Sequence, residues 1–150
     1  LRSYLIVSSV PGDALERCGQ EFMDRHAGNP EAVDTLTDEL ITLTVGLHKT
    51  GFVHRDFYAS HIFLHEHEGI LELYLIDLAR AFRPRARLFR WRVKDLSQLK
   101  YSMPVQWVSS KWNHFISGYL DRMDYDNHER WNAAIDARVT GMERRKHSRA

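Results

Sequence analysis

Apolar positions along the chain change period several times, and each change marks an element. The run Ser3–Ser8, S-Y-L-I-V-S, is apolar and β-branched and predicts a short strand. Val10-Pro11-Gly12-Asp13 breaks it, and a helix is expected from Ala14 to Arg25. Asn29-Pro30 then sets a capping side chain ahead of a proline at the first helical position. Val33, Leu36, Leu40, Leu43 and Leu47 recur at spacings of three and four, one apolar stripe of a buried helix that Gly51 stops. Ile62–Leu64 and Leu71–Ile76 read as two strands, joined by the turn Glu66-His67-Glu68-Gly69. From Trp91 onward the pattern is helical, over roughly 91–101, 104–120 and 127–146, with Ser102 and Asn127 as candidate caps. Trp131, Ile135, Val139 and Met142 line one face of the last helix, and Arg144, Arg145 and Lys146 suit its C-terminal dipole.

With 150 residues the chain is one domain's worth, and four tryptophans in a 43% apolar composition supply a real core. A net charge of +1 excludes a polyanion binder acting through bulk charge. The single Cys18 excludes an intramolecular disulfide and fits a reducing compartment; its plain reading is a small side chain on a helix. No apolar run approaches the ~18 residues of a membrane span, and no secretory leader pattern is present. The chain opens at Leu1 directly in a strand-like run, so a piece of a longer protein is expected.

The segment His54-Arg55-Asp56-Phe57-Tyr58-Ala59-Ser60-His61, followed by Leu73-Tyr74-Leu75-Ile76-Asp77, carries the chemistry. Phosphoryl transfer needs one carboxylate to orient the attacking hydroxyl and take its proton, and another to hold Mg²⁺ against the nucleotide phosphates. Asp56 and Asp77 suit those roles, and H-R-D at 54–56 has the form of a kinase catalytic loop. The plain alternatives are a loop Asp and a strand-end Asp that cap turns. His61 stands where a kinase places its metal-side Asn. It is a candidate for the metal or for a nucleotide phosphate, and equally for a structural histidine. Zinc on His54, His61, His65 and His67 is disfavoured, because no cysteine partner or H-E-x-x-H pattern accompanies them. His54 and Arg55 complete the catalytic set as flanking residues. Between Asp77 and Ser97 there is no Ser, Thr or Tyr, so Arg55 has no activation-segment phosphate to bind and is expected to pair with a carboxylate or with substrate. Asp95 is a candidate for tying down the loop backbone, or else a solvated helix charge.

The order strand, linker, two helices, catalytic loop, hairpin, Asp and helices is that of a kinase hinge and C-terminal lobe. One branch is closer. H-R-D-F-Y-A-S-H-I-F-L, L-Y-L-I-D-L-A-R-A and F-R-W-R-V-K-D-L-S-Q-L resemble the lipopolysaccharide kinases of the Kdo/WaaP type, over about residues 47–102. Tyr58, His61 and the W-x-x-K-D-L element at 91–96 fit that family better than protein kinases. The tripeptide Asp77-Leu78-Ala79 replaces D-F-G, so no flip of that tripeptide between active and inactive states is implied.

The resemblance implies an α+β fold: a protein-kinase-like C-terminal lobe, mostly helical, with a small β-hairpin and a hinge strand. Residues 1–12 form the hinge strand and linker and 13–150 the lobe, with catalytic loop 54–61 and basic segment 80–94. No G-x-G-x-x-G loop or V-A-I-K-like lysine occurs, so the N-terminal lobe is expected upstream of Leu1, and the fragment alone is expected to be inactive. The cofactors implied are ATP and Mg²⁺, with backbone groups near Ser8 and Val10 reading adenine. The implied acceptor is a sugar hydroxyl, heptose or Kdo, on an anionic inner-core glycolipid. Arg80, Arg83, Arg85 and Arg87, in a run that extends to Lys94 without an acid, are the expected acceptor contacts. The rivals are a solubilising loop, another small-molecule kinase of this fold, and a non-catalytic pseudokinase or scaffold. No nucleic-acid partner is expected. A cytoplasmic location, with peripheral contact at the inner face of the inner membrane, follows from the resemblance.

Overall fold

The structure, a computed structural model, describes residues 9–148. The strand expected at Ser3–Ser8, and with it the adenine contact at Ser8, lie outside the described residues. The chain runs β1 (Asp13–Ala14), α1 (Leu15–Arg25), α2 (Pro30–Lys49), β2 (Ile62–His67), β3 (Ile70–Leu75), α3 (Leu88–Ser102), α4 (Val105–Arg122) and α5 (His128–His147). Single 3₁₀ turns stand at Ala59–His61 and Leu78–Arg80. The architecture is α+β, mostly helical, with one antiparallel sheet in the order β1-β2-β3.

β1 is a departure from the helix expected to begin at Ala14. Asp13 pairs with Leu64 and Ala14 with Phe63. Gly12 makes this possible: its φ is +85°, and a Cβ there would overlap the Leu64 carbonyl oxygen. The hairpin turn narrows to Glu68 and Gly69, both with positive φ, as the pairing His67↔Ile70 requires of a two-residue turn.

Asn29 caps α2, its side-chain oxygen accepting from Ala32 N at 3.3 Å, with Pro30 at the first helical position. Val33, Leu36 and Leu40 are buried as expected, but Leu43 and Leu47 are only half-buried. The inward face sits one residue over and includes Thr37, Ile41, Thr44, Val45 and His48. The two threonine hydroxyls donate to Val33 O at 2.8 Å and Leu40 O at 2.7 Å, which makes their burial tolerable. α4 packs on this face, with Trp107 Nε1 donating to Thr37 Oγ1 at 3.0 Å and Trp112, Phe115 and Tyr119 continuing the apolar stripe.

α3 begins at Leu88, ahead of the expected Trp91, behind an Arg87 in the left-handed region. Ser102 is not a cap for α4. It closes α3, and α4 starts behind Pro104 without a capping side chain. Asn127 does cap α5, accepting from Arg130 N at 3.0 Å.

Candidate active site

One face of α3 holds the catalytic loop. Asp95, Gln98 and Ser102 fall at spacings of three and four, which a helix stacks on one side. Asp95 Oδ2 accepts from His54 N at 2.7 Å and Oδ1 from Arg55 N at 2.9 Å. Gln98 Oε1 accepts from Phe57 N at 3.0 Å, and Ser102 Oγ from Ala59 N at 2.8 Å. Four of the loop's backbone donors are thereby paired with three side chains of one helix. Asp95 is fully buried, so its charge has to be answered internally. Besides the two amides it meets His48 Nε2 at 3.2 Å, while His48 Nδ1 lies 2.7 Å from the Tyr119 hydroxyl. The carboxylate only accepts, so His48 Nε2–H donates to Asp95 and Tyr119 O–H donates to Nδ1. Burial holds the His48 imidazole below its usual range, against the pull of Asp95, and keeps it neutral. Burial pushes the Tyr119 phenol up.

Two histidines join the loop to the backbone between β3 and Asp77. His54 Nε2 donates to Ile76 O at 2.9 Å, and its Nδ1 accepts from Asp56 N at 3.3 Å. His61 Nδ1 donates to Asp56 O at 2.7 Å, and its Nε2 faces Asp77 Oδ2 at 3.7 Å. Ile76 N donates to His61 O at 3.0 Å. One imidazole therefore spans the backbone of the proposed base and the carboxylate of the proposed metal ligand. Asp77 is exposed and left-handed at φ +56°. Asp56 accepts from Arg80 Nη1 at 2.8 Å.

Arg55 turns to the aromatic pair Phe82 and Trp91, with its guanidinium carbon 5.3 Å and 5.7 Å from their ring centres. Phe82 is held by the mutual bridge Val53 N to Phe82 O at 3.0 Å and Phe82 N to Val53 O at 3.1 Å. The expected carboxylate partner of Arg55 is not found among the described residues; its side chain stacks instead. Arg83 stacks on Phe52 at 4.7 Å, Arg85 and Arg87 are exposed, and Arg80 is on Asp56. Arg92 leaves the basic run: it is buried and donates to His48 O at 2.7 Å. Val10 is half-buried in the irregular segment ahead of β1.

Sequence reasoning missed Gln98, Ser102 in this role, and the His48–Tyr119 pair. The 95/98/102 spacing is the signal that could have extended the expected role of Asp95 at the loop backbone to Gln98 and Ser102.

The donor set at Asp77 fits Mg²⁺. A hard cation takes oxygen ligands, often one or two carboxylates completed by phosphate, and Asp77 presents an exposed carboxylate. His61 Nε2 lies on the same side, 3.7 Å from Asp77 Oδ2. Among the described residues no three His, Cys, Asp or Glu side chains form a metal cage by themselves, so phosphate oxygens would have to complete the shell.

A profile of the lipopolysaccharide kinase (Kdo/WaaP) family matches residues 14–119. The lipopolysaccharide core heptose(I) kinase WaaP of Pseudomonas aeruginosa is 30% identical over 105 residues, which are 67% of this chain and 39% of that protein. A solved structure of WaaP in complex with acyl carrier protein matches with a TM-score of 0.72 at 25% identity, over 89% of this chain and 58% of that one. The chain thus spans 39% and 58% of the lengths of these two relatives.

Proposed function

The chain belongs to the lipopolysaccharide kinase (Kdo/WaaP) family, and we propose that it carries the phosphoryl-transfer centre of an ATP-dependent kinase acting on a sugar hydroxyl of the lipopolysaccharide inner core, heptose or Kdo. The observation that carries this reading is the tie between the catalytic loop and the backbone just ahead of Asp77: His54 Nε2 donates to Ile76 O, Ile76 N donates to His61 O, and His61 Nδ1 donates to Asp56 O. Asp56 orients the acceptor hydroxyl and receives its proton late, since a sugar hydroxyl is far too weak an acid to be ionised beforehand. Asp77, with His61 beside it, holds the metal. Bound Mg²⁺ neutralises charge on the ATP phosphates as the γ-phosphoryl group leaves. His54 acts through backbone and keeps the loop registered to Ile76.

An anionic acceptor suits the surroundings of the base. Asp56 faces Arg80, and the chain beyond it, through Arg83, Arg85 and Arg87, carries no acid. A cationic acceptor such as an aminoglycoside would call for acids there. No helix among the described residues is long and apolar enough to cross a membrane. We place the enzyme in the cytoplasm, with the basic segment at the inner face of the inner membrane, where its lipid-borne substrate is found. The test is transfer of label from γ-labelled ATP to dephosphorylated core lipopolysaccharide by the full-length protein. Label on a core sugar supports the reading, and a protein that binds Mg²⁺–ATP but labels no core sugar overturns the acceptor.

A further inference from the structure

Behind the catalytic loop, where α3 and α5 meet, lies a solvent-open cavity of about 310 Å³ lined by Arg55, Arg87, Arg90, Trp91, Lys94 and Arg138. Five of its six walls are cations and none is an acid. Like charges brought together this way repel; Arg55 and Lys94 lie over the Trp91 ring, but no carboxylate lines the cavity. The lysine and arginine ion pairs among the described residues fall elsewhere, on Asp13, Glu66, Asp56, Asp136 and Asp34. Nε of Arg55 and Nε of Arg138 are buried without an acceptor, although buried guanidinium nitrogens are ordinarily satisfied. Burial holds the Lys94 ammonium below its usual range, with Arg55 and Arg138 adding to the effect. Asp56 and Asp95 act the other way, but both are engaged, with Arg80 and with the loop amides. Arg87, which precedes α3, supplies no capping side chain, and the first turn carries no acid, so the positive end of the helix dipole adds to the same region.

We propose that this cavity is a binding site for a phosphate monoester dianion. Three acceptor oxygens and a double charge match forked guanidinium donors arriving from three segments: the catalytic loop, α3 and α5. The cavity exceeds a phosphoryl group alone, leaving room for the carbon framework that carries it. Between Asp77 and Ser97 the rim segment contains no Ser, Thr or Tyr, so it cannot supply the anion by its own phosphorylation, and the proposed anion comes with another molecule. Its source is either a phosphate already present on a sugar acceptor or free phosphate. The site is separate from the proposed base: Arg55 stacks on Phe82 and Trp91, while the Asp56 carboxylate meets Arg80. Occupancy would tie Arg55 to α3 and α5, and Arg55 is the residue before Asp56.

Calorimetric titration of the chain at fixed ionic strength tests this with inorganic phosphate, a hexose 1-phosphate and the unphosphorylated hexose. Both phosphates are expected to bind and the bare hexose is not. Tighter binding of the hexose phosphate points to a phosphorylated sugar as the source, and tighter inorganic phosphate to the free ion. Lys94→Met with Arg138→Met should weaken phosphate binding on the order of tenfold or more, since each removes a charge-assisted contact. Its melting temperature at low salt should not fall, because repulsion is relieved. Arg87→Gln with Arg90→Gln, both exposed, should weaken binding without any effect on folding, and Asp56→Asn should bind phosphate at least as tightly as wild type. Phosphate that binds no better than chloride, or equally to wild type and both double variants, overturns the proposal.

Discussion

Arg80 Nη1 donates to Asp56 Oδ2 at 2.8 Å, so the carboxylate proposed to take the acceptor's proton is held by a cation from the segment proposed to bind the acceptor. Arg80 is largely exposed, and such a pair contributes about 1 kcal/mol or less to stability. On the proposed reading its part is in substrate handling: an incoming anionic acceptor would draw Arg80 off Asp56 or share it. Arg80→Ala is therefore expected to leave the melting temperature nearly unchanged. It should raise the acceptor KM by roughly tenfold, with KM for ATP unmoved. A variant with wild-type acceptor KM would mean that Arg80 only shields the base.

The α3 face predicts a graded series. Gln98→Leu leaves the buried Phe57 N–H without an acceptor and should cost about 1–3 kcal/mol. Asp95→Ala strands His54 N, Arg55 N and His48 Nε2–H together and should cost about 3–5 kcal/mol. Ser102→Ala, at a half-buried site, should cost least. Urea midpoints give the order, and in the full-length enzyme kcat should fall in the same order with KM for ATP little changed. Equal, small losses would show that the loop holds its shape without the helix.

His48 makes stability depend on pH with a defined sign. Its folded-state pKa lies below the unfolded value of about 6.5, because burial outweighs the neighbouring Asp95. Between the two values the unfolded chain binds more protons than the folded one, so stability is full above about pH 6.5 and falls as pH drops below it. The loss approaches about 1.4 kcal/mol per pH unit from this one group. Urea midpoints from pH 7.5 to 5 should fall for wild type and fall less steeply for His48→Gln. The same slope in both would mean that folding leaves this imidazole unshifted, and a steeper fall in His48→Gln than in wild type would place a charged, paired histidine in the core.

Arg85 and Arg87 are exposed in the middle of the acid-free run. Replacing both with Ala should weaken acceptor binding on the order of tenfold, at about 1 kcal/mol or less per exposed contact. The remaining binding should depend less on salt, since the screening length is roughly 10 Å at 0.1 M. An acceptor KM indifferent to both the substitutions and ionic strength returns the segment to a solvated loop.

What could be read in the sequence was whatever chemistry or local geometry ties to spacing. H-R-D at 54–56, the strand leading into Asp77, and the caps Asn29 and Asn127 all depend on neighbours a few residues away. The α+β class followed from the family resemblance that those motifs carry. What escaped was set by pairing at a distance. β1 is two residues long and exists only because Gly12 lets the chain lie against Leu64. The His48–Tyr119 bond joins residues 71 apart, and neither signals the other. Arg92 sits in the basic run yet points inward, because helical phase, not charge, decides which side of α3 it faces. Asp95 could be matched to the loop backbone from the sequence, but Gln98 and Ser102, one and two turns further on, gave no sign that they meet the same loop.

The central claim assigns different work to two carboxylates, and one paired measurement separates them: Mg²⁺-dependent ATP binding by calorimetry beside turnover, in full-length Asp56→Asn and Asp77→Ala. Asp56 acts on the acceptor, so Asp56→Asn should bind ATP like wild type while turnover falls by about 10²–10⁴-fold. With Asp77 assigned to the metal, Asp77→Ala should lose metal-dependent ATP binding together with turnover. Small and equal effects of the two substitutions, or lost nucleotide binding in Asp56→Asn alone, would contradict the assignment.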